Sequence, residues 1–177
     1  MKIYITIYLL ASIISTSCTK HIEEEVFAPS AKPDLLTTIS NNWELYMYTI
    51  GTDNEYYYFT QSELANHSLY KLSFDRIGTY NASNTFWSGT YRFLSDSTGF
   101  ILEPADRNLV NCILHIDNIS NKKMQVSSPW VEVNPEKAGA SDYERFIAYS
   151  AFKYFDRHQL DVSNIKSVKL QLRYAVK

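Results

Sequence analysis

Few residues of this chain are equipped for chemistry, and their spacing does not bring them together. Four histidines, His21, His67, His115 and His158, stand far apart. No two of them stand at the short interval that metal-ligating histidines keep. His115 falls on the polar side of an alternating run and reads as a surface or hydrogen-bonding residue. No serine sits in a Gly-x-Ser-x-Gly elbow, and no Gly-rich loop is built to cradle a phosphate. The carboxylates Asp142 and Glu144 fall where a helix should begin, a place where negative charge is favoured for its own sake. The pattern predicts no catalytic residue, no cofactor and no metal site, and therefore no enzyme. Two thiols remain. Cys112 lies in an alternating apolar run and reads as a small buried hydrophobe. Cys18 stands in a different setting.

Lys2 is followed by an apolar run from Ile3 to Ile14, then by the small residues Ser15-Thr16-Ser17, and then by Cys18. A basic start, a short apolar core and small residues at a cut site describe a secretory signal. The run is shorter than the roughly 20 apolar residues of a membrane span. A cysteine directly after the cut resembles the bacterial lipoprotein precursors, in which the thiol takes a diacylglyceryl group before cleavage. This likeness covers residues 1–18, with Ser15 where such signals usually carry Leu. It implies lipidation of Cys18, a mature chain anchored in the cell envelope and, most simply, in the outer membrane. More than one acyl chain is what stable anchoring requires.

The full chain of 177 residues carries a net charge of −2, which offers no basic face for nucleic acid. With Cys18 lipidated, Cys112 has no partner for a disulfide within the chain. Residues 18–36 read as a lipidated tether, with an acidic run Glu23-Glu24-Glu25, two prolines and no clean period. The acidic run is either a solvated linker or a mark of export to the cell surface, so both faces of the membrane stay open.

Residues 37–177 have another character. The fourteen Tyr, nine Phe and three Trp of the full chain, against only five Gly and five Pro, favour strands, where aromatic side chains pack well. Segments alternate with period 2: Trp43, Leu45 and Met47 against Glu44, Tyr46 and Tyr48, then Tyr70, Leu72 and Phe74. Others are Trp87, Gly89, Tyr91 and Phe93, then Val110, Cys112, Leu114 and Ile116, then Met124 and Val126. The cleanest is Val168, Leu170, Leu172, Tyr174 and Val176. Shorter strands are expected at Glu55 to Thr60 and Gly99 to Glu103, with turn residues between. One segment departs from this pattern. Ser141-Asp142-Tyr143-Glu144 fits a capping box, and the apolar residues that follow share a helical face, so Ser141 to Phe155 is expected as an amphipathic helix. The prediction is all-β: an antiparallel up-and-down barrel of about eight strands with one late helix packed on it.

Ser40-Asn41-Asn42-Trp43, the hairpin residues Leu72, Phe74, Gly78 and Tyr80, the pair Gly89 and Tyr91, and the late helix before a final strand resemble the lipocalin-like lipoproteins of the Bacteroidetes. The likeness covers residues 38–177 through short motifs, and Asn41 stands where lipocalins carry Gly. It implies a cup for a small apolar or amphipathic ligand, with Arg173 stacked on Trp43 to close the floor. The expected ligand-binding residues are Trp43, Tyr91, Phe93, Leu114 and Leu172. Large inward side chains offer the opposite expectation, a barrel filled by its own residues. Tyr56, Tyr57 and Tyr58 cannot all point inward on one strand, so they form a candidate surface patch for an envelope protein or glycan, unless the helix covers them. The expected partners are the membrane, through the lipid anchor, and either a small hydrophobic ligand or such a surface partner.

Overall fold

The alternating segments pair into one antiparallel sheet that closes on itself. The computed structural model describes residues 34–133 and 139–177. Strand β1 (Asn42–Thr52) runs against the last strand, β10 (Ser167–Val176), from Trp43 opposite Val176 to Thr52 opposite Val168. Between them the chain meanders through β3 (Lys71–Phe74), β4 (Thr79–Ala82), β5 (Gly89–Phe93), β6 (Gly99–Pro104), β7 (Cys112–Ile119) and β8 (Lys123–Ser127). Each is antiparallel to the next, and β8 returns to β10. Eight strands thus form a closed up-and-down barrel, and closure removes the free edges an open sheet would expose. Two short strands lie outside the ring. β2 (Tyr56–Tyr58) pairs with the far end of β1, and β9 (Val131–Glu132) with the start of β10.

Helix α1 (Leu35–Ile39) closes one end, the floor. Asp34 caps it by accepting from the Leu36 N–H. The indole Nε1 of Trp43 donates to the Ile39 carbonyl at 2.8 Å, so the largest apolar side chain of the floor is fixed without an unpaired donor. Above it Leu72, Phe74, Tyr80, Phe100 and Tyr174 are buried, with Phe74 edge-on to Phe100 at 5.5 Å. The floor half of the barrel is therefore filled, as large inward residues imply. The Tyr80 hydroxyl is buried there with no hydrogen-bond partner among the described residues.

Two helices cover the other end, the mouth. The longer, α3 (Asp142–Arg157), starts at the expected capping box, with Ser141 and Glu144 each satisfying the other's backbone. The Tyr143 hydroxyl donates to the Ile113 carbonyl on β7, and that of Tyr154 to the Tyr58 carbonyl on β2 at 2.9 Å. Those anchors lie on different sides of the barrel, so the helix spans the opening. The shorter, α2 (Gln61–Ala65), has its own capping box from Thr60 and Glu63. Glu63 also bonds Arg157 and His158 at the end of α3, which ties the two helices together. Burial alone would raise the Glu63 carboxyl, but the bonds from Thr60 and His158 outweigh it and hold it at about 2.

Several expectations need correction. A bulge between Leu45 and Met47 shifts the alternation of β1, so Tyr48, not Met47, shares the inner face with Trp43, Leu45 and Ile50. Residues 34–36, assigned to the tether, belong to the cap and first turn of α1. Strand β2 stops at Tyr58, because the Thr60 cap starts α2 two residues on. Trp87 ends a 3₁₀ turn, Thr85–Trp87, where a strand residue was expected. Arg173 does not close the floor. It stands on the outer face opposite Met47 and Gln125, because strand alternation gives the inner position to Tyr174, and Ile39 meets the Trp43 indole instead.

Within the tyrosine run, Tyr57 turns under α3, 5.2 Å from the Phe155 ring, while Tyr56 and Tyr58 are about half exposed. Tyr57→Ala is therefore expected to cost roughly 1–3 kcal/mol in urea unfolding and Tyr58→Ala less than about 0.5 kcal/mol. Tyr80→Phe removes the orphaned hydroxyl and keeps the ring. It is expected to raise stability by on the order of 1 kcal/mol in the same assay.

Candidate functional site

Above the filled floor and beneath α3, the barrel keeps a cavity of about 150 Å³. Leu114 of β7 and Leu170 and Leu172 of β10 supply its apolar walls, with Cys112 at the start of β7. Tyr48 enters from β1, an inward position that exists because of the bulge. Trp87 stands at the rim with the Phe146 ring of α3 5.7 Å away, and Tyr143 and Ser150 of the same helix complete the roof. His67, Ser68 and Leu69, between α2 and β3, form the remaining side with Ser128 at the end of β8. This is the volume of a small aromatic molecule: an apolar cavity of that size takes benzene.

Among the described residues no Lys, Arg, Asp or Glu lines the cavity, so the polarity they give it comes from neutral groups. Most of these are already engaged. Ser128 donates to the Pro129 carbonyl at 2.8 Å and accepts from the Leu170 N–H at 3.0 Å. Ser150 donates to the Phe146 carbonyl at 2.7 Å, and Tyr143 to that of Ile113. The Cys112 thiol lies 3.8 Å from the Val110 carbonyl, and burial pushes it up to about 12, so it stays a thiol at neutral pH and is a poor nucleophile. Burial likewise raises the Tyr48 hydroxyl above the usual phenol range.

His67 is held in one protonation state. Its Nδ1 accepts from the Leu69 N–H at 3.1 Å, which places the ring proton on Nε2. A second proton on Nδ1 would face that backbone donor. Burial pushes the same way, lowering the imidazole to about 4. The ring also packs edge-on against Tyr48, with centroids 4.6 Å apart.

The five expected ligand-binding residues divide. Leu114 and Leu172 line the cavity. Trp43 lies in the floor, bonded to Ile39. Tyr91 is buried with its hydroxyl bonded to the Asp75 carbonyl, and Phe93 packs edge-on against it at 5.8 Å. These three shape the barrel without reaching the space. Cys18, the expected lipidation site, lies outside the described residues. Tyr56 and Tyr58 present a surface, and Tyr57 does not join them. Tyr48 and His67 were not anticipated. The bulge that turns Tyr48 inward leaves no mark in the alternation, and a lone histidine between a helix cap and a strand carries no signal of its neighbours. Among the described residues no Ser, Thr or Cys bonds a histidine, and no group of three His, Cys, Asp or Glu residues could hold a metal.

Acid should weaken the fold through this site. Below about pH 6.5 the unfolded chain binds a proton on His67 that the folded chain refuses until about 4. Stability is thus full above 6.5, falls as pH drops through this window and levels off for this group below it, a loss on the order of 3 kcal/mol. Glu63 loses its contribution in a lower window, from about 4.5 toward 2. Urea unfolding at pH 7, 5.5 and 4 should show the upper loss in the wild type and its absence in His67→Gln.

Comparison of the chain with protein-family models, with curated proteins and with solved structures returned no match.

Proposed function

We propose that this protein is a membrane-tethered, non-enzymatic binding protein that holds a small apolar or amphipathic ligand inside its barrel. The capped cavity above the floor carries this reading, because a barrel whose lower half is packed solid nevertheless leaves about 150 Å³ unfilled under a helix. Protein interiors seldom leave a void of that size. The tether is supported by the signal pattern from Lys2 to Cys18. The acceptor of the anchor is a membrane of the cell envelope, most simply the outer one.

A second reading has its own observation. Phe86, Trp130, Tyr56, Tyr58 and Tyr149 are each at least half exposed, more large aromatic surface than folding requires. On that reading the barrel is an interaction module whose outer face meets an envelope protein or glycan, in the manner of an inhibitor or immunity protein.

Leu114→Trp separates the two. If the cavity is the binding site, the indole occupies it: the fold survives at unchanged or higher melting temperature, and the mass adduct seen by native mass spectrometry of the full-length chain incubated with envelope extract disappears. If instead the variant loses about 1–3 kcal/mol from overpacking and the wild type never carries an adduct, the interior is effectively full and the exposed aromatics become the site.

A further inference from the structure

Resting on the ligand-binding reading above, we infer that the occupant of the cavity is a compact, uncharged molecule of about the size of a monosubstituted benzene, whose single hydrogen-bond acceptor takes the Nε2–H of His67 beside the Tyr48 hydroxyl. Three observations lead there. The first is charge. With no cationic side chain in the wall among the described residues, a carboxylate or phosphate would lose its hydration with nothing there to replace it, and with no acidic side chain among them the same holds for an ammonium. That excludes fatty acids by headgroup as well as by volume.

The second is the account of polar groups. Ser128, Ser150, Tyr143 and Cys112 are turned toward carbonyls of the protein itself. Among the described residues, the Nε2–H of His67, the indole N–H of Trp87 and the hydroxyls of Tyr48 and Ser68 have no such partner. A hydroxyl can donate or accept, and so does not dictate what it meets. Nε2 can only donate, because Nδ1 is occupied by the Leu69 N–H, and a ligand that meets His67 must therefore offer an acceptor.

The third is position. The His67 and Tyr48 rings pack edge to face at 4.6 Å, so the two side chains border the cavity as neighbours, while Leu114, Leu170 and Leu172 supply apolar lining. The ligand is thereby divided into an apolar body and one neutral polar end, such as a carbonyl or ether oxygen. The low basicity of His67 keeps the donor uncharged across the neutral range. A site built to donate rejects an analogue without the acceptor, because the donor is then left buried and unpaired.

Three probes of matched shape test this. Acetophenone has the acceptor, α-methylstyrene replaces the oxygen with a methylene group, and benzoate carries a charge. Each is titrated into the 15N-labelled full-length chain and followed by NMR, including the His67 Nε2–H resonance. The expected result is that acetophenone binds about tenfold more tightly than α-methylstyrene, that benzoate does not bind, and that only the ketone shifts the Nε2–H signal. His67→Phe should erase the preference of ketone over hydrocarbon. Tyr48→Phe, which removes one hydroxyl and keeps the ring, should reduce it, and serves if His67→Phe fails to fold. Equal binding of ketone and hydrocarbon by the wild type overturns the acceptor site and leaves the cavity reading intact. Preference for benzoate overturns the uncharged ligand. Binding of none of the three, the hydrocarbon included, overturns the ligand-binding reading itself.

Discussion

The pairing of β1 with β10 is the constraint on which the rest of this structure depends. The two strands lie at opposite ends of the described domain, and their ladder joins Trp43 to Val176 at one end and Thr52 to Val168 at the other. Bringing such distant segments together costs loop-closure entropy that only a long, well-registered ladder recovers. Once the seam is made, every intervening hairpin has two neighbours and the sheet has an inside. That inside must then be filled or covered, because polar backbone and water do not share an apolar interior cheaply.

The chain solves the two ends differently. At the floor, aromatic residues from several strands meet and α1 supplies a carbonyl for the Trp43 indole, so packing and hydrogen bonding are completed together. At the mouth, the covering is made by α2 and α3; tyrosine hydroxyls of α3 bond strand carbonyls below, and Glu63 of α2 ties the two helices together. A helix laid over an opening cannot interdigitate with the strands below as another strand would. The cavity is the space this leaves, and its wall inherits whatever neutral groups the strand ends and the helices present. The neutral wall and the helical cover are thus consequences of the same geometry.

That geometry also accounts for the division among the expected binding residues. Leu114 and Leu172 sit high enough on their strands to face the cavity, whereas Trp43, Tyr91 and Phe93 face the packed half or its margin. Alternation tells which side of a strand a residue takes, but not its height in the barrel, which follows from register and strand tilt.

What the sequence determined by itself was local. Period-2 alternation specified most strands, and the Ser141–Glu144 capping box placed the start of α3, because both depend on residues within a few positions of one another. The tyrosine run announced that its members must part to two sides, and so they do. Tertiary structure alone decided where the inside was left empty. The bulge at Tyr46 that turns Tyr48 inward is set by the pairing of β1 with β10, more than a hundred residues away. His67 meets Tyr48 and the cavity only when α2, β1 and α3 converge around it. Neither the void nor its donor is a property of any short segment, since both arise where elements distant in sequence fail to fill the space between them.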